Sequence, residues 1–144
     1  SEKLTKVFQE GETRIYENTN VIPRAFFVSN IIYAKDNREA IRIMFEESFN
    51  PSHMAVIESV NKELQNVKQT KVGKANIVHY SENKIIIETE NSETGFLVLT
   101  DSYYPTWHAA VDEIEAKIYR TDYNFRGIIV PEGKHRVEFY TTLL

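Results

Sequence analysis

From Ala75 to Thr141 apolar and polar positions alternate in short runs, with Gly, Pro, Asn, Ser or acidic turn residues between the runs. That is the period of β-strands with one face buried. Asn76–Tyr80 and Lys84–Glu90 flank Ser81-Glu82-Asn83 and read as a hairpin; the solid run Ile85-Ile86-Ile87 suits a central strand. Phe96–Thr100 follows Gly95. Trp107–Val111 and Ala116–Arg120 flank an acidic turn from Asp112 to Glu115. Phe125–Val130 and Arg136–Thr141 flank Pro131-Glu132-Gly133-Lys134, a tight-turn sequence. Upstream, Thr13–Glu17, Ala25–Tyr33 and Ala55–Ser59 share the β-branched and aromatic bias.

One segment has a helical period instead. Asp36, three residues before Glu39, forms a capping box, and Ala40, Ile41, Met44 and Phe45 follow at helical spacing. Asn50-Pro51 stops it, so a helix is expected over Asn37–Ser48. The polar stretch Asn61–Lys74, with four lysines and one glycine, reads as a solvated loop. Many short strands with turn signals between them predict a mainly β protein: an antiparallel β-sandwich, jelly-roll-like, with one helix near residues 37–48. No repeat divides the chain, and residues 1–144 are expected to form a single soluble domain.

Composition agrees with a packed domain. The chain has 144 residues, 42% apolar and 26% charged, a length that buries roughly 70% of its unfolded surface. Lys and Arg total 17 against 21 Asp and Glu, a net charge of −4, and the two signs are interspersed. No basic stripe is left for nucleic acid. The absence of cysteine excludes a disulfide scaffold, a thiolate zinc site and a cysteine nucleophile. No run approaches the ~18–20 apolar residues of a membrane helix, so no direct membrane insertion by this chain is expected. The chain opens at Ser1 without an initiator Met and is read as a piece of a larger product.

The chemical motifs are mostly missing. His53, His79, His108 and His135 are scattered singly, without metal-ligand spacing, and the five glycines form no phosphate loop. No metal and no cofactor is expected. Ser102, His108 and Asp112 have no nucleophile elbow around the serine, and on an extended chain they lie about 20 and about 13 Å apart. Asp101 with Asp112 or Glu113 is the one remaining enzymatic option, as a carboxylate pair.

The segment Asp101–Arg126 stands out for its density of Tyr, Trp, Asp and Arg. Rings beside carboxylates and guanidinium groups suit a sugar, whose apolar face stacks while its hydroxyls take hydrogen bonds. The candidate ligand-binding residues are Asp101, Tyr103, Tyr104, Trp107, Arg120 and Tyr123. The plain alternative is packing: Trp107 and Val111 are expected in the core, Pro105 at a strand entry and Asp112 in a turn, whereas Tyr103, Tyr104 and Arg120 suit either role.

These same residues carry a family likeness. Thr94–Arg126 and the run from Val130 to Phe139, together with Tyr16-Glu17-Asn18, Val21-Ile22-Pro23-Arg24-Ala25-Phe26 and Phe49-Asn50-Pro51, resemble in order the C-terminal region of the YfhO family of bacterial membrane proteins. The family's Pro-Gly-Trp is Pro105-Thr106-Trp107 here and its Asp-Gly turn is Asp112-Glu113, so both turns are expected to differ locally. Family members are polytopic, glycosyltransferase-like proteins that use a polyprenyl-phosphate-linked sugar. The resemblance implies a non-catalytic extracytoplasmic domain tethered to the bacterial cell membrane through the transmembrane portion of the same polypeptide. There it would position a cell-envelope glycan or brace extracellular loops. The alternatives are an independent carbohydrate-binding or adhesion module, and a small hydrolase using Asp101 and Asp112.

Overall fold

The computed structural model describes residues 23–59, 67 and 71–142. The strand expected at Thr13–Glu17, the motif residues Tyr16 to Ile22 and most of the lysine-rich stretch lie outside these. In chain order the elements are β1 (Ala25–Val28), β2 (Asn30–Ala34), α1 (Asn37–Met44), β3 (Met54–Glu58), β4 (Lys74–Tyr80), β5 (Lys84–Asn91), β6 (Gly95–Leu99), β7 (Trp107–Val111), β8 (Ile114–Ala116), β9 (Tyr119–Thr121), β10 (Phe125–Val130) and β11 (Gly133–Thr141).

Four expected boundaries move. The single strand over Ala25–Tyr33 is broken at Ser29. The backbone N–H groups of Ser29 and Asn30 both donate to the His53 carbonyl, at 2.9 and 3.1 Å, and shift the chain from one strand partner to another. The helix ends at Met44 rather than Ser48. Asp36 caps it by accepting the Glu39 N–H at 2.9 Å, while beyond Met44 i→i+3 bonds from Glu46 to Ile43 and from Phe49 to Glu46 replace the α pattern. The strand expected at Ala116–Arg120 becomes β8 and β9, which belong to different sheets. The turn expected at Pro131–Lys134 likewise shrinks to Pro131-Glu132 and carries the chain between sheets.

The fold is a β-sandwich. A six-stranded sheet has the order β1-β6-β10-β9-β3-β2, and a five-stranded sheet the order β4-β5-β11-β7-β8. Ladders are antiparallel except β2–β3, which is parallel and joined through α1. β5 pairs with β11 and β6 with β10, and both pairs cross from one sheet to the other together, the kind of paired crossing found in jelly rolls. β1 and β2 form opposite edges of the larger sheet yet are separated only by Ser29. That sheet must therefore roll until its edges meet.

Strand alternation sorts the core into three parts. Phe27, Leu97, Leu99 and Ile128 of the rolled sheet meet Ile85, Ile87, Val137 and Phe139 of the flatter one, forming the sandwich core. The inner side of the roll holds Val28, Ala55, Ile57, Phe96, Val98 and Tyr119, with Val67. α1 lays Ala40 and Ile43 on Ala34 and Val56, covering the β2–β3 portion.

Candidate binding site

At one end of the sandwich β1, β7 and β10 begin and β4, β6 and β11 finish, so side chains distant in sequence converge. Asp101, just after β6, accepts the Tyr80 hydroxyl at 2.6 Å and an Arg24 N–H at 2.6 Å. Arg24 also lies 4.7 Å from the Tyr80 ring centroid. Its backbone carbonyl accepts the Thr100 N–H at 2.8 Å, which fixes it beside Asp101. The hydrogen bond to Asp101, with some burial, pushes the Tyr80 hydroxyl above its ordinary value.

Tyr80 reaches this position because β4 carries a bulge. Ile77 pairs with Ile87 and Tyr80 with Ile85, and the register shifts between Ile77 and His79. The extra residue reverses the alternation, so Tyr80 follows Ile77 onto the inner side instead of pointing outward.

Behind this group lies Arg126 of β10, only 4% exposed. Its guanidinium sits 4.0 Å from the Trp107 ring centroid and 6.0 Å from that of Phe139, and its Nε donates to the Ser102 carbonyl at 2.8 Å. Its Nη1 has no hydrogen-bond partner among the described residues. Burial pulls Arg126 below its ordinary value, opposed first by Asp101 and then by Tyr80 and Tyr104.

Next to it on β9 stands Arg120, in direct register with Arg126. Its guanidinium lies 5.6 Å from the Tyr103 ring and 5.5 Å from the Tyr123 ring. Its Nε donates to the Tyr123 carbonyl at 2.6 Å, and Glu58 is 3.9 Å away. Burial raises the Glu58 carboxyl against the pull of Arg120. Tyr123 occupies the β9–β10 turn with φ 73°, following Asp122 at φ 48°.

The six residues singled out in the sequence thus gather at one end in two adjoining groups: Asp101, Tyr104 and Trp107 around Arg126, and Tyr103 and Tyr123 around Arg120. Tyr104 is the most open, at 58%. Trp107 is half-buried against the core, with Arg126 over one face, and Val111 is buried within the core. Sequence reasoning missed Arg24, Tyr80 and Arg126 as site members. Arg24 stood inside a quoted motif and Arg126 ended the aromatic segment, but nothing in the chain marked the bulge that aims Tyr80.

Asp112 lies at the other end of β7, about 17 Å of strand away, so it forms no carboxylate pair with Asp101. Asp112 and Glu113 take φ 49° and 73°, the left-handed pair of a type I′ turn. Glu113, standing where the family motif has glycine, thus takes a glycine-like conformation. Asp112 accepts the Arg136 N–H at 2.8 Å and bonds the His135 ring, whose other nitrogen meets the Glu132 carbonyl at 2.8 Å. An open groove of about 450 Å³ adjoins this corner. Cross-strand register there sets Glu90 between Lys74 and Lys134, and Glu88 opposite Arg136, a charge-matched face without an exposed aromatic platform.

The model of the family described as bacterial membrane protein YfhO matches residues 32–142. The chain belongs to the YfhO family. Neither a curated protein nor a solved structure matches it. Among the described residues no helix is long and apolar enough to cross a membrane. Two of the YfhO-like motifs, Asp112-Glu113 and Pro131 to His135, meet in the Asp112–His135 contact and serve the fold. The Asp101–Arg126 segment instead supplies most of the open aromatic end.

Proposed function

We propose that this YfhO-family chain is a non-catalytic, extracytoplasmic domain that holds a cell-envelope glycan near the membrane portion of the same polypeptide, whose chemistry is glycosyltransferase-like. The observation that supports this reading is the end of the sandwich. There the half-exposed rings of Tyr80, Tyr104 and Tyr123 stand beside a carboxylate and guanidinium groups already oriented by Arg24–Asp101 and Arg120–Tyr123 contacts. Stacking on such rings with hydrogen bonds from fixed polar groups is how an amphipathic sugar is held without a deep cavity.

The test is a titration of the full-length protein with cell-wall glycan fragments, read by calorimetry. Binding is expected, and Arg120→Ala combined with Tyr104→Ala should weaken it about tenfold or more, since each change removes a contact worth ~1 kcal/mol. Affinity unaffected by both changes would leave the domain with a bracing role only.

A further inference from the structure

Within this glycan site the charges do not balance, and the imbalance lies at one place. Asp101 is taken by Arg24 and Tyr80, and Glu58 stands 3.9 Å from Arg120. The carboxylate that acts on Arg126 is this same Asp101, so Arg126 has no ion pair of its own among the described residues. It is 4% exposed, its Nε is used by the Ser102 carbonyl, and its Nη1 is unpartnered among the described residues. Like charges in direct cross-strand register disfavour a sheet, yet Arg126 and Arg120 face each other across β10 and β9. A buried cation whose counter-charge is shared with another cation is costly, and a planar guanidinium matches a carboxylate or phosphate better than any neutral oxygen.

We propose that Arg126 and Arg120 form an anion subsite, which takes an acidic group, carboxylate or phosphate, carried by the bound sugar. Arg120 is the entry side, its side chain being 38% exposed between Tyr103 and Tyr123. Arg126 is the inner wall, held against Trp107 so that Nη1 meets the anion. This inference rests on the glycan reading but goes beyond it, because a neutral sugar would satisfy that reading equally well.

The experiment compares three probes on the full-length protein: a hexuronate-containing oligosaccharide, its neutral hexose counterpart and a sugar phosphate. An acidic probe should bind about tenfold or more tighter than the neutral one, the range of a charge-assisted hydrogen bond, and added salt should reduce the difference. Whichever acid is preferred identifies the source of the anion. Arg126→Gln should erase the preference. If that variant loses its fold by circular dichroism, Arg120→Gln serves, because it removes a charge of the same pair from a side chain that is 38% exposed, and it should erase the preference likewise. Equal binding of acidic and neutral probes overturns the subsite and leaves the glycan reading standing, as does a preference that survives in the folded variant. Binding of none of the three overturns both.

Discussion

At the scale of single residues, the tightest constraint is Gly127 on β10. A Cβ placed there would lie 2.3 Å from the Phe96 ring and 2.4 Å from the Thr121 hydroxyl. Phe96 is fully buried inside the rolled sheet, so it has nowhere to go. Gly127→Ala is expected to cost about 1–3 kcal/mol by overpacking, measured as a lower denaturation midpoint with unchanged m-value. Wild-type stability in the variant would mean that Phe96 can shift freely. Nothing in the run Phe125–Val130 announces this, because a glycine in a strand pattern marks a close approach without naming its partner. The same limit applied to Tyr80. Its type was plain in the sequence, but its direction was set by a bulge that alternation alone cannot reveal.

At the scale of elements, the β7–β8 turn depends on a clasp. Two consecutive non-glycine residues with positive φ carry strain, and Asp112 offsets it by holding the β10–β11 corner through Arg136 and His135. The His135 ring, chiefly through Asp112, is raised above its ordinary 6.5, and Asp112, chiefly through His135, is lowered below 3.8. His135's contribution is complete below pH 6.5 and fades as pH rises through its raised value. That of Asp112 is complete above pH 3.8 and fades as pH falls through its lowered value. The clasp is therefore fully made between these two pH values. In Asp112→Asn the His135 titration, followed by NMR, should fall back toward 6.5. An unmoved titration would remove Asp112 as the cause. Legibility here was partial: the paired strands and both turn motifs could be read, but their meeting could not, since 23 residues separate Asp112 from His135.

At the scale of the whole molecule, closure of the rolled sheet passes through a thin seam. β3 and β9 share one register pair, Ile57 with Thr121, and Asp122 extends the contact. Its N–H donates to the Val56 carbonyl at 2.7 Å, and its carboxylate accepts the Val56 N–H at 2.8 Å. Burial pushes the Asp122 carboxyl up to about 6, with the Val56 N–H opposing. A raised carboxyl contributes stability that is complete below its unfolded value near 3.8 and is lost as pH rises through about 6. Ionised Asp122 at neutral pH therefore costs the fold about 2–3 kcal/mol. Asp122→Asn, which keeps the acceptor oxygen and tolerates positive φ, should be more stable than wild type by about 1–3 kcal/mol at pH 7.5 and nearly equal to it at pH 4. Parallel stability curves for the two proteins across that range would sink this account.

What the sequence determined by itself was everything set by neighbours along the chain. Alternation placed most strands, Asp36 and Glu39 placed the helix start, and ordered motifs identified the YfhO family. The tertiary structure decided whatever depends on distant partners. The His53 carbonyl split one expected strand at Ser29, and two short strands replaced another because Lys117-Ile118 crosses between sheets. Arg24, Tyr80, Asp101 and Arg126 became one cluster only where several strands end together. Periodicity records which side of a strand is buried, but not which strand lies beside it. Convergence at the sandwich end is a property of strand order, which no local pattern encodes.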